Sequence, residues 1–240
     1  MYGTGKFHKE TTSMAVYRHI YQLVVSGTFK PGEWIRERQL KEMLGVSSTP
    51  IREALKMLVQ ERVLESVPHH GVRLSNFSLK EIEDIYVLRA ELEGLAAQLA
   101  AKHGSVEQFN QMEKILLVVE KIIQENREDQ DSELLKLNNE FHDLIIEASR
   151  NHALKNSLNY LRAGIDIIRV MSWKRNSGRS FETIHQHQQI LYALKARDPY
   201  LARVRTEEHI WESVKLVLQA AKEAKDISIP KEPINFPFDN

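Results

Sequence analysis

Residues 45–55 read GVSSTPIREAL, and this stretch decides the fold of the first third of the chain. Gly45 ends one short helix, because glycine readily adopts the left-handed backbone that often follows a helix. A second helix starts almost at once, since Pro50 is tolerated in a first turn, where its missing amide is not needed. The apolar residues of this second helix recur on one face, namely Ile51, Ala54, Leu55 and Leu58. Two helices joined so closely are typical of a helix-turn-helix motif.

The sequence on either side of this stretch completes a small domain. A helix near residues 13–26 precedes it, and a turn at Pro31-Gly32 separates that helix from the next. After the stretch, residues 63–67 and 72–75 predict two short strands joined by a tight turn. Three helices followed by a β-hairpin predict a winged helix-turn-helix domain over residues 1–76.

The helix that contains Pro50 has a polar face opposite its apolar one, and this polar face carries Ser48, Thr49, Arg52 and Lys56. In a helix-turn-helix this face enters the major groove of DNA. Arg52 has the fork geometry for a guanine edge or a phosphate, and the hydroxyls of Ser48 and Thr49 can donate to phosphates. Residues 1–76 carry 11 Lys and Arg against 7 Asp and Glu, whereas the remainder carries 22 against 26, which agrees with this interpretation. The alternative is an ordinary solvated helix face.

The rest of the chain predicts long helices. Residues 69–229 contain only one proline, Pro199, and apolar residues recur at steps of three and four. Residues suited to capping mark helix starts at Ser78, Ser105 and Asp198. The predicted helices cover residues 78–103, 105–128, 131–149, 151–173, 180–197 and 199–225. The fold class is therefore mainly α, with an all-helical bundle of about six helices after the winged domain.

Composition narrows the class of protein. A chain of 240 residues suits two cores, and we expect the bundle to fill residues 77–227, followed by a flexible tail over 228–240. The absence of cysteine excludes disulfides and thiolate zinc sites. No apolar run is long enough to cross a membrane and no signal peptide is evident, so we expect a cytoplasmic protein without a membrane partner. No HExxH, nucleophile elbow or phosphate loop indicates an enzyme.

Three histidines and an asparagine form a candidate metal site in the bundle. Asn138 and His142 stand four residues apart, and therefore one turn apart on the same helix face. His187 lies on the fifth predicted helix of the bundle and His209 on the sixth, so three helices could supply ligands to one interior point. Imidazole-rich ligation without thiolates suits a divalent ion such as zinc, nickel, cobalt, iron or manganese.

The alternative for these histidines is chance. The chain contains 10 histidines, and the spacing of ligands across separate helices is unconstrained without a fold. Most of them would then lie on the surface. His185 stands two residues from His187 and therefore on nearly the opposite side of its helix, so only one of the two can face the site.

Four motifs follow one another within residues 14–76. They are the G-x-x-x-P-G turn of residues 27–32, the E-R-x-L of residues 37–40, GVSSTPIREAL, and the P-x-x-G wing of residues 68–74. Together they resemble the DNA-binding domain of the GntR family. The resemblance implies base or minor-groove contacts by Arg38, Arg52 and His70, and backbone contacts by Arg36 and Thr49. Ser48 departs from the family, which usually has arginine there, so one base contact common in relatives is expected to be missing.

Residues 78–225 carry a second set of motifs. They are LRAELEGLAAQLAA at 88–101, N-x-x-F-H-x-x-I at 138–145 and Q-H-Q-Q-I-L-x-A-L-x-x-R-D at 186–198. These resemble the FCD ligand-binding domain of the FadR subfamily. The resemblance implies a metal held by His142, His187, His209 and Asn138. Asparagine stands where aspartate is common, and a neutral ligand lowers metal affinity or shifts the preferred metal.

The same resemblance assigns a role to Arg89, which matches an arginine associated with the carboxylates of ligands. The alternative for Arg89 is a structural ion pair with Glu93 or with a neighbouring helix.

These inferences combine into one leading hypothesis. The chain is a homodimeric DNA-binding transcription regulator on a palindromic operator, and a small organic acid bound at the metal and Arg89 modulates its DNA binding. One alternative is a metal-dependent enzyme with an accessory DNA-binding head. Another is an architectural DNA binder with an inert dimerisation domain. The sequence leaves open the identity of the effector, the metal and the operator, and whether binding represses or activates.

Overall fold

The computed structural model describes residues 11–126, 130–173 and 180–223. The chain divides between Asn76 and Phe77 into two compact units. The tail predicted over residues 228–240 lies outside the described residues. None of the described helices is both long and apolar enough to cross a membrane.

The first unit contains three helices and a small antiparallel sheet. Its elements are α1 (Thr12–Val25), β1 (Trp34–Ile35), α2 (Glu37–Leu44), α3 (Ser48–Gln60), β2 (Leu64–Val67) and β3 (Gly71–Leu74). The strand order is β1-β3-β2, with antiparallel neighbours. Gly45 follows α2 with φ +64°, the left-handed conformation expected for it. The predicted winged helix-turn-helix class is confirmed, with β2 and β3 as the hairpin wing.

The sequence prediction of two strands is incomplete, because it misses β1. Trp34 pairs with Arg73 of β3, and Ile35 pairs with Val72. A strand of two residues is too short to show alternation of apolar and polar side chains, and the preceding Pro31-Gly32 indicates only a turn. The missed strand matters because it brings Trp34 beside the wing.

The core of the first unit lies mainly between α1 and α3. The predicted inward face of α3 is buried throughout, including Ile51 and Leu58, which are fully buried. Ile20 of α1 and Leu40 of α2 are also inaccessible to solvent. Each such aliphatic side chain stabilises the unit by about 1.5–3 kcal/mol relative to leaving it exposed. Because one face of α3 packs into this core, the opposite face of α3 points to solvent.

The second unit is helical throughout its described residues. Its helices are α4 (Leu79–His103), α5 (Val106–Glu125), α6 (Asp131–Ala148), α7 (His152–Trp173), α8 (Ser180–Lys195) and α9 (Pro199–Glu223). Both predicted capping boxes form, one at Ser78 and one at Ser105. The helix predicted to reach residue 128 ends at Glu125 instead, because Asn126 adopts a left-handed φ of +49°.

Helix α4 is central to the second unit, since it packs along α9 and also contacts α6, α7 and α8. Gly94 lies at the α4–α9 contact. A Cβ atom at this position would lie 2.7 Å from Oε1 and 2.8 Å from Cγ of Glu207 on α9. The small buried side chains of Ala97 and Ala101 continue the same face. This packing brings the polar residues of α4 close to those of α6 and α9.

Candidate nucleic-acid interface and metal centre

The polar face of α3 points away from the core of the first unit. Thr49, Arg52 and Lys56 are exposed, and Ser48 is half-buried. Elsewhere in the unit Arg36, Arg38 and His70 are also exposed. All seven side chains predicted to contact DNA are thus at least partly accessible.

A cleft of about 530 Å³ lies between α3 and the wing. Four of the predicted contact residues line it, namely Arg36, Arg52, Lys56 and His70. Arg38, Ser48 and Thr49 are not among the lining residues of this cleft. The cleft therefore collects Arg52 and Lys56 of α3 and Arg36 before α2 around one concave surface, together with the acidic Glu37, and this excess of positive charge suits a negatively charged backbone.

Two of the candidate DNA-contacting arginines are paired with acidic side chains. The Nε atom of Arg52 donates to both carboxylate oxygens of Glu37, at 2.9 and 3.1 Å. Arg38 donates to Glu42 at 3.0 Å within α2. Exposed ion pairs such as these are worth about 0–1 kcal/mol, so DNA can displace the carboxylates at little cost. The sequence prediction did not single out Glu37, whose role depends on the spatial approach of α2 to α3.

Trp34 of β1 organises the charged side chains beside the wing. Its indole ring lies 5.6 Å from the guanidinium carbon of Arg36 and 5.8 Å from that of Arg73. The ring of His70 at the wing tip lies 5.9 Å from it, and Arg73 is further held by Glu65 at 2.6 Å. Two predicted DNA contacts, Arg36 and His70, therefore share one aromatic support.

We expect Trp34→Ala to weaken operator binding about three- to tenfold, because each exposed cation–π contact contributes about 0.5–1 kcal/mol and Arg36 and His70 lose their common support. Fluorescence anisotropy with labelled operator DNA measures the affinity. Trp34→Phe is the matched control, since it keeps an aromatic ring and should retain most of the affinity. Unchanged binding by a folded Trp34→Ala variant would show that the indole only packs.

In the second unit, three buried histidines from three helices meet at one point. His142 of α6, His187 of α8 and His209 of α9 each offer a ring nitrogen, and these three atoms all lie within 4.8 Å of one another. The Nε2 atoms of His187 and His209 are 3.2 Å apart. Phe141 stacks on His187, with 4.5 Å between the ring centroids. The structure thus brings together three of the four residues predicted as metal ligands.

The protonation of His209 suits it to metal binding. Burial, followed by the neighbouring imidazoles of His187 and His142, lowers the pKa of His209 well below its usual range. Its Nδ1 atom lies 2.8 Å from the amide oxygen of Gln186, which can only accept a hydrogen bond. Nδ1 therefore carries the proton, and the Nε2 lone pair is directed at the centre of the triad. Gln186 is a residue that the sequence prediction did not assign to the site.

His142 contacts a buried carboxylate. Its Nδ1 atom lies 2.7 Å from Oε2 of Glu93 on α4. The other oxygen of Glu93 accepts a hydrogen bond from Nε of Arg89 at 2.6 Å. A carboxylate that accepts a hydrogen bond from a metal-binding imidazole orients the ring and fixes its tautomer, and Glu93 lies close enough to His142 for this role. Glu93 thus connects Arg89, the candidate effector residue, to the histidine triad. Sequence analysis considered Glu93 only as a possible ion-pair partner of Arg89.

Arg89 is completely buried, and the ion pair considered as an alternative is present. Burial lowers the pKa of Arg89, but the negative charge of Glu93 outweighs it, so the pKa is raised. Only Nε is used by Glu93. Within the described part of the chain, the two terminal nitrogens Nη1 and Nη2 have no hydrogen-bond acceptor.

Asn138 is buried on the same helix as His142, with its amide nitrogen 3.4 Å from the side-chain oxygen of Asn139. Asn138 and His187 line one small apolar cavity of about 20 Å³. His185, by contrast, is exposed and lies 3.0 Å from the amide nitrogen of Gln189. Of the two neighbouring histidines, it is therefore His187 that points into the bundle.

A small polar pocket of about 30 Å³ adjoins the triad. His142 and Glu93 form part of its wall, and most of the remaining polar side chains come from α6 and α7. Arg162 makes two hydrogen bonds of 2.6 Å to the carboxylate of Asp143 at this pocket. The other polar residues of the polar pocket are Asn139, Asn159 and Asp166.

Comparison with known proteins follows the same division of the chain. Residues 12–74 match the gntR family of bacterial regulatory proteins, and residues 84–211 match the FCD domain. Over 210 residues the chain is 32% identical to YdhC of Bacillus subtilis (strain 168), an uncharacterized HTH-type transcriptional regulator, covering 86% of this chain and 92% of that protein. The chain belongs to the GntR family of bacterial regulators.

A second relative of this GntR-family chain is the HTH-type transcriptional repressor GlaR of Escherichia coli (strain K12). It is 28% identical over 217 residues, covering 87% of this chain and 97% of GlaR. The solved structure of E. coli McbR/YncC has the same fold, with a TM-score of 0.77 at 22% identity over 88% of this chain and 99% of that one. The GntR-family chain is therefore a DNA-binding transcription regulator with an FCD domain at its C-terminal side.

Proposed function

We propose that this GntR-family regulator binds its operator as a homodimer in the cytoplasm and releases or tightens it when a small carboxylate binds beside a divalent metal in the FCD domain. The observation that carries the proposal is the convergence of three buried imidazoles from α6, α8 and α9. Its relative GlaR is named a repressor, and we propose repression for this chain as well. Two-fold symmetry of the dimer would match a palindromic operator.

The residues present fit a divalent metal. The candidate ligands His142, His187 and His209 are buried, Nδ1 of His209 is hydrogen-bonded to Gln186, and the carboxylate of Glu93 lies 2.7 Å from Nδ1 of His142. Nitrogen ligands without thiolates suit zinc or nickel. When bound, the ion would act as a Lewis acid with open positions for an anion. Asn138, on the face of His142, would add a neutral oxygen ligand.

The surroundings of the triad fit a small acid as effector. The polar pocket borders His142 and Glu93, and its volume of about 30 Å³ would have to increase to admit a small acid. Arg89 carries a positive charge at the buried end of the Glu93 contact. Its unused terminal nitrogens match a carboxylate, which accepts two parallel hydrogen bonds from a guanidinium. Thermal unfolding with a panel of metals and organic acids tests this directly, because a ligand that binds only the folded state raises the unfolding midpoint.

Arg52→Ala should weaken operator binding by about 1–3 kcal/mol and relax sequence preference, if Arg52 makes a bidentate contact with a base. The operator is obtained by selection from random duplexes, and affinities for it and for a scrambled duplex are measured by anisotropy. Arg52→Lys keeps the charge but loses the fork, so it should recover binding to scrambled DNA more than to the operator. An equal loss on both duplexes would reduce Arg52 to a phosphate contact, and unchanged affinity would contradict the groove assignment.

A further inference from the structure

Tyr86 lies on α4 one turn before Arg89 and is fully buried. Its ring contacts the guanidinium, whose central carbon lies 5.1 Å from the ring centroid. The hydroxyl group has no hydrogen-bond partner among the described residues. Tyr86 was not singled out by its sequence position, because one tyrosine on an apolar helix face normally serves only as core.

A buried tyrosine hydroxyl without a partner is costly. Leaving such a group unsatisfied costs about 1–3 kcal/mol, whereas a phenylalanine of nearly the same shape would avoid the penalty. The neighbouring Nη1 and Nη2 atoms of Arg89 are in the same condition. The Tyr86 hydroxyl and the Nη1 and Nη2 atoms of Arg89 therefore all lack hydrogen-bond acceptors among the described residues.

The three groups are arranged around a fixed guanidinium. Glu93 binds only Nε of Arg89, at 2.6 Å, which holds the plane of the guanidinium while leaving its terminal edge unused. Glu93 also lines the polar pocket and contacts His142. The guanidinium of Arg89 thus lies one side chain, Glu93, away from both the polar pocket and the histidine triad, whereas neither Arg89 nor Tyr86 lines the polar pocket itself.

We propose that Tyr86 is a second anchor for the acid group of the effector, so that its hydroxyl and the terminal nitrogens of Arg89 bind one carboxylate together. This inference rests on the proposed function and adds a selective element to it. A carboxylate has about four lone-pair positions and no donor, so it can accept from all three groups at once. An amide of the same size would turn an N–H group toward one of these donors, and it is therefore rejected.

The test uses the full-length protein with acetate as the minimal acid probe, alongside propionate, succinate and citrate, and acetamide as the neutral counterpart. Dissociation constants come from the dependence of the thermal unfolding midpoint on probe concentration. We expect Tyr86→Phe to bind the acids about tenfold more weakly, since hydrogen bonds to charged groups are the stronger ones. Without acid, its unfolding midpoint should equal or exceed that of the wild type. Acetamide should stabilise neither protein.

Two controls separate the possible failures. Tyr200→Phe removes a hydroxyl from an exposed tyrosine of α9 and should leave acid affinity unchanged. Arg89→Lys keeps a charge beside Glu93 but removes the fork, and it should weaken acid binding strongly. If Tyr86→Phe binds the acids as the wild type does while Arg89→Lys does not, the Tyr86 anchor is wrong and the proposed function stands. If none of the acids stabilises the wild type, the proposed carboxylate effector is wrong, and the Tyr86 anchor falls with it.

Discussion

His187→Ala is expected to abolish stoichiometric metal binding while leaving the helix content near that of the wild type. The side chain is buried, and its Nε2 atom lies 3.2 Å from that of His209, so no other described imidazole of α8 can replace it. The three histidines are not the main source of the bundle's stability, because its hydrophobic core is already packed. Removal of one ligand should therefore empty the site without unfolding the helices. His142→Ala should have the same result.

Metal content is measured by elemental analysis after incubation with zinc or nickel and desalting, and helix content by circular dichroism. His185→Ala is a matched control, because His185 stands two residues away on the same helix but is exposed. It should retain the metal in full. Asn138→Asp should retain or tighten binding, since a carboxylate adds negative charge beside the cation. A wild type that holds no stoichiometric metal after this treatment would refute the assignment of all four ligands.

Arg89→Ala is expected to lose the response of DNA binding to the effector while metal content and basal operator affinity stay close to wild type. The effector changes the equilibrium of the regulator only through differential affinity for its two states, and the guanidinium supplies that affinity in our proposal. We expect the effect of the effector to reach the DNA-binding domain along the chain, because only residues 75–77 separate β3 from the cap of α4. Loss of the clamp should therefore remove the coupling.

Operator titrations of wild type and variant, with and without the acid identified by the thermal screen, measure this response. Arg89→Ala also destabilises the folded protein, because it leaves Glu93 without its cationic partner. Breaking a buried pair in this way costs about 3–5 kcal/mol. Arg89→Lys preserves that partner and should also lose the response if the fork is needed. Should both variants show the same effector-induced change as the wild type, Arg89 serves only as the counter-ion of Glu93.

Local sequence signals predicted the helices because each depends on neighbours in the chain. The capping boxes at Ser78 and Ser105 and the left-handed Gly45 all formed as expected. The main misses depend on contacts between distant residues. Strand β1 exists only through its pairing with β3, and Glu37 matters only because α2 approaches α3.

The candidate metal centre shows the same limit. Spacing placed Asn138 and His142 on one helix face, but the meeting of His187 with His209 depends on how α8 packs on α9. Sequence analysis named Glu93 only as a possible partner of Arg89 and gave no role to Gln186 and Tyr86, because each acts at the site through a partner on another helix or through its burial. Sequence spacing and motifs can identify the candidate ligands of such a site. Only the packing of the helices shows which residues orient those ligands.

The pair formed by Arg52 and Glu37 has a consequence for how the regulator searches a genome. Random duplex DNA presents Arg52 mainly with phosphates, whose negative charge is repelled by the Glu37 carboxylate that accepts from Nε of Arg52 at 2.9 and 3.1 Å. A guanine edge offers two acceptors without a net charge, so this repulsion affects it less. We therefore expect Glu37 to shorten residence on the millions of non-specific sites more than on the operator, so that an acidic side chain on the reading head speeds the search for its target.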